Sequence, residues 1–137
     1  MGPTRLFLAQ RGLCFHCARP MLWRAAHSRR GGDGRNDNAR WTRDHLLPRS
    51  CGGRGSTNLV LAHRLCNRDR GATMPTPAMV ERARRLWALA VAISADEVER
   101  FGRDRSVSGT FCAVYPWPAA PGATAWPDDL RVQEFPS

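Results

Sequence analysis

The sequence predicts a small α+β domain. Three observations carry that reading: a strand-like run over 41–47 that ends at Pro48, helical stretches on its C-terminal side, and two Cys/His pairs at i, i+3 spacing that bracket the run. Proline closes a strand because it has no N–H for the ladder. The bracketing pairs join segments far apart in sequence, so they predict a fold stapled across the strand.

The elements follow in order. Residues 4–11 form one or two helical turns, ended by Gly12. Residues 14–21 make a tight knuckle, and 22–26 a short strand. The stretch 28–39, SRRGGDGRNDNA, is rich in Gly, Asn, Asp and Arg and reads as a loop. After the 41–47 strand, 50–57 (SCGGRGST) is a second loop. Residues 58–70 read as a helix, with Thr57 or Asn58 placed to cap it and Gly71 to end it. Pro75 then breaks the chain. Met79, Ala83, Leu86, Ala90 and Ile93 recur at helical spacing, which predicts a helix over 78–93. Ser94 and Glu97 form a capping box for a further short helix that ends near Gly102. From Arg103 onward, Pro116, Pro118, Pro121, Pro127 and Pro136 interrupt the chain. Trp117 and Trp126 lie in this tail outside any periodic pattern, so it is expected to be irregular, partly packed on the domain and otherwise disordered. The resulting division is a core over 1–72, a helical extension over 73–103 packed on it, and a tail over 104–137.

At 137 residues and 42% hydrophobic content the chain can bury one modest core. No stretch approaches the ~18 apolar residues of a membrane span, and the first residues lack the apolar region of a signal peptide. A cytoplasmic location without membrane contact is expected. The net charge of +9 is unevenly spread: residues 1–70 carry 14 Arg against four acids, a balance of +10, and residues 71–137 carry seven Arg against eight acids, a balance of −1. A positive field concentrated in one half attracts polyanions. Every basic side chain is Arg, which grips phosphate bidentately. Nucleotide-composition bias explains the missing Lys equally well, but not the asymmetry between halves.

Five cysteines, an odd number, argue against a disulfide framework. Cys14-x-x-Cys17 pairs with His63-x-x-Cys66, two ligands on a knuckle and two on the first turns of a helix, which together close a tetrahedron. Thiolate and imidazole suit Zn²⁺, and four protein ligands leave no open position, so the site is expected to be structural. Three alternatives stand beside it: a redox Cys14/Cys17 pair, His63 and Cys66 as ordinary residues on one helical face, and His16 as a substitute ligand. Cys51 and Cys112 have no partner in register.

Between the two half-sites lie Asp44-His45-Leu46-Leu47-Pro48, then Gly52-Gly53, then Asn58, then Cys66-Asn67-Arg68-Asp69-Arg70-Gly71. Their chemistry can be read directly. Imidazole titrates near neutral pH, which suits His45 to general-base work. Asp44 offers a hard anionic oxygen for Mg²⁺ or a similar divalent ion. Asn67 offers a neutral amide oxygen about two and a half helical turns beyond Asn58. The bland readings are a turn Asp, a core His and a helix N-cap Asn.

Over about residues 13–71 the sequence resembles the HNH endonuclease family, in the subset with flanking zinc half-sites, including the string Ala62-His63-Arg64-Leu65-Cys66-Asn67. The resemblance implies a ββα-metal core in which two strands carry Asp44 and His45 toward the helix bearing Asn67, beside the zinc knuckle. It implies that His45 activates water, that Asp44 and Asn67 hold the catalytic metal, and that Asn58 braces the loop and sets the orientation of His45. Arg68 and Arg70 stand where the family often carries a Lys and are expected at phosphate, a solvated helix face being the alternative, with Arg43 and Arg49 as weaker flanking candidates. The chain departs from the family in the long insertion before Trp41, readable as a substrate-contacting loop or as tolerated disorder. The implied activity is metal-dependent hydrolysis of phosphodiester bonds, with DNA favoured as partner. A zinc-stabilised nucleic-acid-binding module without cleavage is the alternative.

Overall fold

The computed structural model describes residues 2–23, 40–53, 58–108, 126 and 130–132. The 28–39 insertion, the end of the expected 22–26 strand, Thr57, Cys112 and most of the tail lie outside these residues. Helix α1 (Pro3–Ala9) opens with Pro in its first turn, where a missing N–H costs nothing. Its exit runs through Arg11 and Gly12 at positive φ (53° and 70°). The chain then turns through the knuckle to Trp23, whose neighbour Leu22 makes one parallel bridge with Arg40.

Strand β1 (Trp41–His45) pairs antiparallel with β2 (Leu59–His63), placing Asp44 opposite Val60, His45 opposite Leu59 and Trp41 opposite His63. A 3-10 turn (Arg49–Cys51) follows Pro48. Helix α2 (Arg64–Arg70) leaves β2 directly. Helix α3 (Pro77–Ala92) is capped by Thr76, whose hydroxyl accepts from the Met79 N–H at 3.2 Å. Helix α4 (Ala95–Ser108) starts at the expected capping box, with Glu97 N–H on Ser94 Oγ at 3.1 Å, and runs past Gly102.

The helix expected over 58–70 is corrected: only Arg64–Arg70 is helical, and Leu59–His63 is the second strand. An apolar run as short as Leu59-Val60-Leu61-Ala62 suits a strand buried on both faces as well as a buried helix. The fold resolves the ambiguity through partners on both edges. One edge of β2 takes β1. On the other, Phe15 N–H donates to Leu61 O at 3.0 Å, and the fully buried Gln10 side chain both accepts from Leu61 N–H and donates to Leu61 O, each at 2.8 Å. Gln10 also donates to Leu13 O at 2.8 Å, so this buried amide is satisfied while it ties the knuckle to the strand.

The core is one cluster drawn from α1, the knuckle, β2, α3, Phe101 and the tail residues Trp126 and Leu130. Phe7, Trp23 and Phe101 pack as an aromatic trio, with ring centroids 4.9 to 5.6 Å apart. Trp87 on α3 reaches the sheet by donating to Leu59 O at 2.8 Å. This packing holds the two strands and α2 as a platform with the knuckle along one edge.

Candidate functional site

The knuckle and the β2–α2 junction bring Cys14, Cys17, His63 and Cys66 together, with their ligand atoms all within 4.8 Å of one another. Sequence reasoning placed His63 on a helix. It is instead the last residue of β2, and its backbone turns the chain into α2 (φ −57°, ψ 142°) so that Cys66 falls in the first helical turn. His63 Nδ1 lies 3.3 Å from Cys17 Sγ and 3.8 Å from Cys66 Sγ. Its other nitrogen, Nε2, lies 2.9 Å from Pro20 O. That carbonyl can only accept, so Nε2 carries the proton and Nδ1 presents its lone pair to the thiols. An outer hydrogen bond of this kind fixes the tautomer of a metal-ligating imidazole. The His63 N–H also points at Cys14 Sγ, 3.3 Å away.

The cluster acts on the ionisation of Cys66. The Cys66 thiol is pushed up to about 12, first by burial and then by the negative charge of Cys14 and Cys17. A divalent cation reverses that penalty, and the Cys3His donor set fits Zn²⁺. His16 is not part of the cluster. Its Nε2 lies 2.5 Å from Asp44 Oδ2, so it turns away from the thiols toward β1.

Asp44, His45 and Asn67 line one open cleft of about 300 Å³, together with Arg43, Pro48, Arg49, Ser50, Gly71 and Ala72. Successive strand residues face opposite sides, and burial reflects this: Asp44 is 4% exposed while His45 is half-buried. The end of the strand lets both reach the cleft. Among the described residues no group hydrogen-bonds the His45 imidazole. Asn67 donates through Nδ2 to Thr42 Oγ1 and to Arg43 O, each at 3.3 Å, which reserves its Oδ1 as the acceptor.

Asn58 immediately precedes β2. Its Oδ1 accepts from Leu47 N–H at 2.9 Å and its Nδ2 donates to Leu47 O at 2.8 Å, while its own carbonyl accepts from Leu46 N–H at 2.8 Å. The clamp falls on the two residues after His45. Arg43 and Arg49 are exposed at the cleft, and Arg68 is exposed on α2.

Arg70 departs from expectation. It is no free phosphate contact, because its side chain is only 8% exposed and Nη1 donates to both Asp44 oxygens at 3.2 Å and to His45 O at 3.0 Å. Nη2 donates to Leu46 O. The guanidinium stitches the last turn of α2 to the end of β1. Its place in the sequence, three residues after Asn67 on a one-sided helix, did not reveal that it turns inward. His16 was likewise missed as a neighbour of Asp44, its only sequence signal being a polar residue between two ligand thiols.

No helix among the described residues is long and apolar enough to cross a membrane. No family model, curated protein or solved structure matches this chain.

Proposed function

We propose that the protein is a metal-dependent endonuclease of the HNH type that hydrolyses phosphodiester bonds in DNA. One observation carries this reading: a carboxylate, an imidazole with no hydrogen-bond partner among the described residues and an amide share a cleft that also presents two exposed guanidinium groups. That set meets the needs of phosphodiester hydrolysis, which are a base for water, a place for a cation and donors for phosphate oxygens.

The oxygen donors of Asp44 and Asn67 fit a hard divalent ion such as Mg²⁺, and these two residues would hold it. Bound there, the ion would supply Lewis-acid stabilisation of negative charge at phosphorus. The remaining work falls to the chain itself. His45 takes the proton from the attacking water, for which its half-exposure and ring nitrogens unbonded among the described residues suit it. Arg43 and Arg49 orient the phosphate through bidentate donors. Asn58 fixes the turn that follows His45 and so limits its swing. Arg70 lowers the negative charge that Asp44 presents, so a cation there is held less tightly than by an unpaired carboxylate. The Cys3His cluster would hold Zn²⁺ as a structural staple, separated from the cleft by ligand softness.

The ion pair of Asp44 with Arg70, joined by His16, favours one other reading, a zinc-stabilised nucleic-acid-binding module that does not cut. Nicking of supercoiled plasmid with Mg²⁺ or Mn²⁺ separates the two. Wild type is expected to nick and His45→Ala to lose nearly all activity. Equal rates in the two proteins reject the nuclease assignment, and salt-dependent DNA binding without cleavage in any divalent metal supports the binding module.

A further inference from the structure

The geometry points to His16 as a positioning residue that reaches from the zinc knuckle to fix the Asp44 carboxylate for its cation. The inference rests on the metal-dependent reading of the cleft and adds a residue to it. Asp44 is 4% exposed, and two side chains from different elements bond it. Arg70 comes from the last turn of α2. His16 comes from the turn between the two ligand thiols, its Nε2 2.5 Å from Oδ2. An ionised carboxylate only accepts, so Nε2 carries the proton in this contact.

The knuckle leaves His16 little freedom. Cys14 N–H donates to Arg19 O and Ala18 N–H donates to Cys14 O, both at 2.8 Å, and Ala18 sits in the left-handed region at φ 58°. Phe15 is buried in the core, and its ring meets the His16 imidazole edge-on at 5.5 Å. The turn therefore sends Cys14 and Cys17 to the metal cluster, Phe15 to the core and His16 to Asp44. Arg70 alone, with one nitrogen shared equally between Oδ1 and Oδ2, leaves rotation of the carboxylate weakly specified. His16 on Oδ2 breaks that symmetry and leaves Oδ1 as the oxygen with fewer partners. Outer-shell partners of metal-binding carboxylates act in this way on affinity.

The test is Mn²⁺ binding to the full-length, zinc-loaded protein, read from the electron paramagnetic resonance signal of free Mn²⁺, with zinc content measured for every variant. Wild type is expected to bind Mn²⁺ and Asp44→Asn to lose that binding. His16→Ala should weaken it about tenfold with zinc retained. His16→Gln, which returns an N–H near the Nε2 position, should recover most of the affinity, and excess Mn²⁺ should restore the turnover of His16→Ala toward wild type. Wild-type affinity in zinc-loaded His16→Ala overturns the positioning role and leaves the cleft assignment standing. Absence of Mn²⁺ binding in wild type removes both. If His16→Ala loses zinc, His16→Leu replaces it in the comparison with His16→Gln, and equal affinities for Mn²⁺ overturn the proposal.

Discussion

Asn58 holds Leu47 by both ends of its amide, accepting the backbone N–H at 2.9 Å and donating to the carbonyl at 2.8 Å. The clamp closes over Gly53, where an added methyl would sit 1.8 Å from Leu47 O and 2.7 Å from Asn58 Nδ2. Loss of the clamp leaves half-buried backbone groups unpaired, so Asn58→Ala should cost about 1–3 kcal/mol in urea unfolding. Gly53→Ala should cost more than Gly52→Ala. The latter has open space around it and pays only for a left-handed φ of 93°, about 1–2 kcal/mol. The reverse order would show that the turn does not depend on close approach at Gly53.

The role of Arg70 is tested by stability. With side-chain exposures of 8% and 5%, the Arg70–Asp44 pair is shielded from water. Removing one partner strands a buried charge, so Arg70→Met should lose about 3–5 kcal/mol. The double variant Arg70→Met/Asp44→Asn should recover much of that loss, a coupling visible in a double-mutant cycle. Additive losses would mean that the two groups do not act as a pair.

The legible parts of this protein are those that residue type and spacing specify. Cys14, Cys17, His63 and Cys66 announce a candidate metal site by chemistry and interval alone, and they converge. Helix α3 was readable because its buried Ala83, Leu86 and Ala90 repeat at helical period on one face. The strand Leu59–His63 was not readable as a strand. Its apolar run lacks alternation because both faces are covered, with Val60, Leu61 and Ala62 all fully buried in the core. The partners of Asp44 were hidden for a different reason. His16 and Arg70 reach it across 28 and 26 residues of sequence, and nothing local distinguishes an inward-turning Arg from a solvated one.

Zinc and pH should act together on stability. The metal-free Cys66 thiol is raised from 9.0 to about 12, by burial first and by the nearness of the Cys14 and Cys17 sulfurs next. The folded metal-free chain therefore keeps a proton that the unfolded chain releases. This stabilisation is full below pH 9 and is lost as pH climbs from 9 toward 12. Zinc binding has the opposite pH dependence, since it displaces the thiol proton and strengthens as pH rises. One zinc per chain is expected by elemental analysis. The gap in Tm between zinc-loaded and chelator-treated protein should widen from pH 7 to pH 10. A constant gap would show that these thiols do not bind the metal as thiolates.

Among the described residues of the tail, Trp126 and Leu130 are buried in the core. Leu130 is fully buried, and its carbonyl accepts from the buried Arg82 Nε at 3.1 Å. Trp126 lies under the same guanidinium, 5.3 Å from the ring centroid. Two buried side chains separated by three residues leave no periodic trace in the sequence. Leu130→Ala should nevertheless cost about 2–5 kcal/mol, as for a core leucine. A cost below about 0.5 kcal/mol, typical of surface positions, would mean that the tail is undocked in solution.

DNA binding should separate the arginines by position. Arg43 and Arg49 are exposed at the cleft, whereas Arg70 is spent on Asp44 and two backbone carbonyls. Each phosphate contact contributes about 0.9 to the slope of log affinity against log salt. Arg49→Ala should therefore reduce that slope by about one contact and leave Tm unchanged. Arg43 also lies 5.8 Å from the Trp41 ring centroid, so Arg43→Ala should reduce the slope and lower Tm slightly, a cation–π contact at an exposed site contributing about 0.5–1 kcal/mol. Fluorescence anisotropy with a labelled duplex across a salt series, without divalent metal, gives the slopes. A slope unaffected by both substitutions would place the nucleic acid on another face and detach the cleft from the substrate.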